Sequence, residues 1–112
     1  MKIEGSAKMV QVFIGESDQW HGQPLYEAIV RRCKQEGMAG VTVTRGIEGF
    51  GANSRIHTTH ILRLSEDLPV KVEIVDVAER VARFLPILDE MVTEGLVTVQ
   101  DLHVVKYVHG GK

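Results

Sequence analysis

Several kinds of feature are missing from this chain, and each absence removes a class of protein. Cysteine occurs once, at Cys33, so no disulfide can form within the chain and a reducing compartment fits best. There is no overall basic excess, the formal net charge being −2, which argues against non-specific nucleic-acid binding. No apolar run approaches the roughly 20 residues of a membrane span, and no basic–apolar–small leader is recognisable. Together these features point to a cytoplasmic protein. No internal repeat, low-complexity block or linker divides the sequence. What remains is ordinary globular composition, 44% hydrophobic and 25% charged over 112 residues. That length suggests one domain spanning 1–112, with a limited core for which oligomerisation is a common supplement.

Hydrophobic periodicity sets the expected elements. MVQVFI, 9–14, alternates Val10, Val12 and Ile14 with Met9, Gln11 and Phe13, as a strand does. After a Gly/Pro-containing loop, Pro24 suits the first turn of a helix. Leu25, Ala28, Ile29, Arg32 and Cys33 follow at helical spacing, and Gly37 serves as a left-handed cap. GVTVTRGI, 40–47, reads as a second strand with Val41, Val43 and Ile47 on one face. HILRL, 60–64, reads as a short strand and SEDLP, 65–69, as a turn. VKVEIVD, 70–76, alternates Val70, Val72 and Ile74 with Lys71, Glu73 and Val75, and Asp76 can cap the helix that follows. That helix carries a stripe of Val77, Val81, Phe84, Leu85, Leu88, Met91 and Val92, with a kink or break expected at Pro86 and an end at Gly95. LVTV and DLHVVKYV, broken at Gln100-Asp101, supply a last strand or bulged pair, and HGGK a frayed tail.

The order strand, helix, strand, strand, helix, strand is that of an α+β, ferredoxin-like split βαβ fold: an antiparallel sheet with both helices on one face. The other face would carry Met9, Phe13, Val75 and part of Val105 and Tyr107. Burying each such side chain stabilises by about 1.5–3 kcal/mol, so self-association is the expectation.

Three long stretches carry a resemblance: LYEAIVRRCKQEGMAGVTVTRGIEGFGANSRIHT, LSEDLPVKVEIVD and FLPILDEMVTEGL. With them the chain resembles a family of bacterial and archaeal PII-like proteins known as domain of unknown function 190, over roughly residues 7 to 108. The resemblance implies a ferredoxin-like subunit of a homotrimer whose sheets face the threefold axis. It also implies a signalling role, with adenine nucleotides bound between subunits and a long loop after the second strand presented to a target protein. Residues 46–68 occupy that loop position. PII nucleotide sites also use a Gly- and Lys-rich turn after the second helix. Here that turn reads VTEGLVTV, 92–99, with one glycine and no basic residue, which leaves open whether a nucleotide binds in the PII manner.

The loop is also where chemistry-bearing residues gather. Residues 45–63 hold Arg45, Arg55 and Arg63 against Glu48, a local +2, so the rest of the chain sums to −4. Gly46, Gly49 and Gly51 allow close backbone approach, and the amides of such a loop can cradle an anion. Arg45 and Arg55 could grip phosphate or carboxylate in bidentate fashion, beside Asn53 and Ser54. The pattern is neither a P-loop nor a dinucleotide fingerprint, and a structural turn accounts for the glycines about as well. His57 and His60 could ligate a divalent metal with Glu66, Asp67 or a histidine of another subunit, although two loop histidines are more often hydrogen-bonded or solvated. Ser54 near His57 is the only local hint of a nucleophile, without elbow context or third member, so no catalytic residue is assigned and an enzyme is not expected. Cys33 lies on an apolar stripe and reads as core. Trp20 stands in a polar loop, where it stacks on a ligand, enters a neighbouring subunit or packs locally. Three functions therefore compete: a regulatory subunit binding a small anion with 46–68 as effector, a divalent-metal-binding trimer, and a passive protein-interaction module.

Overall fold

Alternating apolar residues build the centre of the molecule. The computed structural model describes residues 2–49 and 67–110. A four-stranded antiparallel sheet in the order β4-β5-β1-β6 is formed by β1 (Lys2–Gly15), β4 (Gly40–Arg45), β5 (Pro69–Asp76) and β6 (Leu96–Val108). Helices α1 (Leu25–Gln35) and α2 (Ala78–Met91) cross over it, and a two-stranded ribbon, β2 (Gln19–Trp20) with β3 (Gln23–Pro24), follows β1. This is the split βαβ topology expected from the sequence.

The central pair is β1 with β5, registered Val10 to Ile74, Val12 to Val72 and Ile14 to Val70. These six side chains are buried, and Leu25, Ala28, Ile29 and Cys33 of α1 and Val81, Phe84, Leu88 and Met91 of α2 close over them. Pro24 precedes the first residue of α1, and Gly37 beyond its end has φ +73, the left-handed conformation that glycine adopts without penalty.

Four local expectations change. Helix α2 is not broken at Pro86: it runs from Ala78 to Met91 as one segment, Pro86 is solvent-exposed, and the stripe Phe84, Leu88 and Met91 docks on both sides of it. Asp76 does not cap α2, whose N-cap is Val77 with no side-chain bond. It is fully buried instead, accepting from Ala39 N–H at 2.9 Å and from Val77 N–H at 2.7 Å. β4 ends at Arg45, and Ile47 is 73% exposed rather than on the face of Val41 and Val43. β6 is continuous across Gln100-Asp101 because Lys8 pairs with Asp101 both in register and as an ion pair. Its irregularity lies further on, between the partners of Gly5 and Ile3, where β6 carries one residue more than β1.

β1 is longer than MVQVFI because Lys2–Lys8 pair with β6. This outer ribbon buries Ile3 and Ala7 outside the main core. The Tyr107 hydroxyl donates to Ala39 C=O at 2.9 Å, linking residues at opposite edges of the sheet, so the ribbon curls across a sheet face. On the face away from the helices, Gln11 Nε2 donates to Glu73 at 3.0 Å and Lys71 lies 3.4 Å from the same carboxylate. That face is thus polar at its centre, with half-buried Met9 and Val75 beside it; Phe13 and Leu96 pair at one end, 36% and 55% exposed, and Val105 is 78% exposed.

Candidate functional site

The connection between β4 and β5 leaves and re-enters the sheet at one corner. Arg45 is the last residue of β4, paired with Val70 of β5. Immediately after it, Gly46 N–H donates to Pro69 C=O at 2.7 Å, and a side chain at Gly46 would meet Pro69 Cγ at 3.0 Å. The glycine is therefore needed for close packing, and its amide is already engaged. Gly49 has φ +154 and lies against the same proline.

The turn after β1 supplies the other half of the corner. Glu16 N–H donates to Leu68 C=O at 2.8 Å, and Ser17 N–H donates to Asp67 Oδ1 at 3.0 Å. Asp18 accepts from Gly15 N–H through its side chain at 3.0 Å and from Leu25 N–H through its carbonyl at 2.8 Å, which ties the turn to the start of α1. One end of the 46–68 connection is thus fastened to Pro69 of β5 and the other to the turn after β1. Across the corner, Arg45 Nη2 donates to Glu16 Oε2 at 2.6 Å. Trp20 packs against the core and stacks on His21, the ring centroids 4.2 Å apart and the planes within 9°. The Trp20 indole therefore has a local partner.

Of the residues selected by sequence, Arg45, Gly46 and Gly49 meet at this corner. Gly51, Asn53, Ser54, Arg55, His57 and His60 lie outside the described residues, as does the strand expected at 60–64. Among the described residues no group of three His, Cys, Asp or Glu side chains is placed to hold a metal ion. Sequence reading missed Glu16 and Asp18. The signal available was a strand ending in Gly-Glu-Ser-Asp, where a short acidic turn in this fold falls beside the β4–β5 connection. Across the sheet, the 92–96 turn brings no cation. Gly95 there has φ +148, and a Cβ would come within 2.7 Å of Phe13 C=O, so it is a packing glycine. Cys33 is buried, and burial pushes its thiol up to about 12, leaving it protonated and inert at neutral pH.

Comparison with known proteins places this arrangement. Residues 7–104 match the model of the DUF190 family, described as Uncharacterized ACR. The chain belongs to that family. A UPF0166 protein of Methanocaldococcus jannaschii is 39% identical over 101 residues, 89% of this chain and 93% of the relative, and a UPF0166 protein of Aquifex aeolicus is 35% identical over 98 residues, 88% and 92% of the two chains. The fold is that of PII-like nitrogen regulatory proteins. CPII of Thiomonas intermedia K12, solved with ADP and bicarbonate, superposes with TM-score 0.60 at 18% identity over 88% of each chain. The GlnK–ATP complex of B. subtilis superposes with TM-score 0.52 at 12% identity over 89% of this chain and 84% of that one. Among the described residues no helix is long and apolar enough to cross a membrane.

Proposed function

We propose that this chain is a PII-like regulatory subunit, working in the cytoplasm as a homotrimer, that binds a small anionic ligand at the clefts between subunits. An adenine nucleotide is the leading candidate. Arg45, Gly46, Gly49, Gly51, Asn53, Ser54 and Arg55 form the binding segment in this reading, and the 46–68 connection is the effector that meets a target protein. The observation that carries the reading is the position of Arg45 at the root of that connection, in a fold shared with proteins solved with ADP and bicarbonate or with ATP. Gly46 contributes space rather than an amide, since its N–H is engaged by Pro69. Phosphate recognition then rests on Arg45, Arg55 and the amides beyond Gly46, because the 92–96 turn offers no positive charge. No catalytic step is involved. The ligand acts by favouring one arrangement of the effector segment over another, which requires that it bind the two arrangements with different free energies.

Titration calorimetry of the native oligomer against ATP, ADP, AMP and bicarbonate tests this. At least one of these is expected to bind. Arg45→Gln should weaken that binding about tenfold or more, since a hydrogen bond to a charged group contributes about 1.5–3 kcal/mol. An intact trimer that takes up none of the four at about millimolar concentration, a binding free energy near −4 kcal/mol, overturns the reading.

A further inference from the structure

The ribbon that carries β1 and β6 beyond the main sheet is bent at one place. Gly5 of β1 has φ +100, a conformation that side chains rarely adopt. Among the described residues no atom lies within 4 Å of where its Cβ would stand, so the glycine serves the backbone rather than packing. The register shifts at the same point. Gly5 faces Val104 and Ile3 faces Tyr107, which leaves Val105 and Lys106 together opposite Glu4. A glycine and a bulge set against each other bend both strands at once. Ile3 and Ala7 alternate with exposed Lys2, Glu4 and Ser6, and they share the strand face of Met9, Gln11 and Phe13, away from the helices. Both are buried although they stand apart from the main core, so the tip of the ribbon folds back over that face. Half-buried Met9 and Val75, paired across β1 and β5, form the end of the face nearest to it. The Tyr107 hydroxyl donates to Ala39 C=O at 2.9 Å, beside Gly40, the β4 partner of Val75. The tip therefore spans the row Met9–Val75–Gly40 and reaches the opposite edge of the sheet, with Val105 and Val108 exposed on it.

We propose that residues 2–4 and 105–108 form a hinged strap that covers the Met9–Val75 end of the sheet, turns about Gly5 and the bulge, and is latched by the Tyr107 hydroxyl. The post that receives the latch is fixed independently. Ala39 N–H is held by buried Asp76, whose other oxygen holds Val77 N–H, so the post stays in place when Tyr107 lets go. On the sheet side of the hinge, Lys8 and Asp101 join β1 to β6 in register and as an ion pair, so the two strands move as one ribbon. Opening uncovers Ile3, Met9 and Val75 together. The strap thereby decides which apolar surface this end of the sheet offers to another chain: its own outer valines when closed, the sheet itself when open.

The test compares wild type, Tyr107→Phe and Gly5→Ala in their native assembly by two readouts. One is amide hydrogen exchange followed by mass spectrometry. The other is the rate of Met9 oxidation by hydrogen peroxide, with buried Met91 as internal reference. Phenylalanine keeps the ring and removes the latch, while alanine penalises the hinge conformation without meeting another described atom. Each variant should raise exchange in 2–7 and 102–108, and Met9 oxidation with it, by about twofold to tenfold, the range for one lost neutral hydrogen bond. The helices and the central strands should keep their protection. Unchanged exchange and oxidation in Tyr107→Phe overturns the latch, and the same result in Gly5→Ala overturns the hinge. Faster exchange of the ribbon without faster Met9 oxidation overturns the cover. A rise shared equally by the ribbon and the core overturns the strap as a separate unit, since the whole subunit is then opening.

Discussion

Asp76 is the buried charged side chain among the described residues, and its two oxygens tie distant backbone together. One accepts from Ala39 N–H, at the entry to β4, and the other from Val77 N–H, at the start of α2, while Arg80 approaches to 3.9 Å and donates to Gly37 C=O. The carboxylate therefore secures the α1–β4 turn to the head of α2. Glu73 shows a different use of the same chemistry. The Gln11 amide, with Lys71 in support, favours its charged form and holds the carboxyl below its ordinary 4.5, against a smaller opposing effect of desolvation. A folded-state pKa below the unfolded one means that the unfolded chain binds more protons in that range. The stabilisation is thus complete above 4.5 and is lost as the pH falls through the depressed folded value. Glu73→Gln should therefore melt below wild type at neutral pH, and the gap between the two should close as the pH drops below 4.5. Thermal melts across that range measure it, and a gap independent of pH would contradict this account.

At the scale of elements, Gly95 places the sharpest demand on sequence. Its φ of +148 lies where side chains rarely go, and a Cβ would strike Phe13 C=O at 2.7 Å, which is backbone and cannot step aside. Gly95→Ala should destabilise the fold by about 1–3 kcal/mol or more, read from urea unfolding, with the α2–β6 junction the first region to lose amide protection. The alternation of Val70, Val72 and Ile74, and the stripe of Val81, Phe84 and Leu88, were legible because each follows the period of its element and buries one face. The outer half of β1 was not. Lys2, Ile3, Ser6 and Lys8 owe their extended form to pairing with residues about a hundred positions away, which no local pattern reports. Helix α2 persists through Pro86 because docking on either side outweighs one lost backbone bond, a tertiary effect. The candidate site was half legible. Arg45 and the glycines stand out by type, whereas the engagement of Gly46 N–H and the contact between Glu16 and Arg45 follow only from how strands align.

For the whole molecule, the sheet face away from the helices is the surface on which the proposed trimer can be tested. Phe13 and Leu96 sit opposite each other across β1 and β6 and leave apolar area in solvent, while the Gln11–Glu73–Lys71 set keeps the middle of the face polar. If subunits meet through this face, Phe13→Lys sets three ammonium groups near a common axis. Light scattering should then show the trimer falling toward single chains, with the helical signal retained; an unchanged mass would place the contacts elsewhere. At the corner of the sheet, bonds from Gly46 N–H to Pro69 C=O and from Glu16 N–H to Leu68 C=O close the 46–68 connection at its root. The distance between its ends is thus fixed by the scaffold, whatever lies between them. Because the entropy of closing a chain between two fixed points grows only with the logarithm of its length, at about 0.6 kcal/mol per doubling, a change of length between these anchors costs the scaffold little.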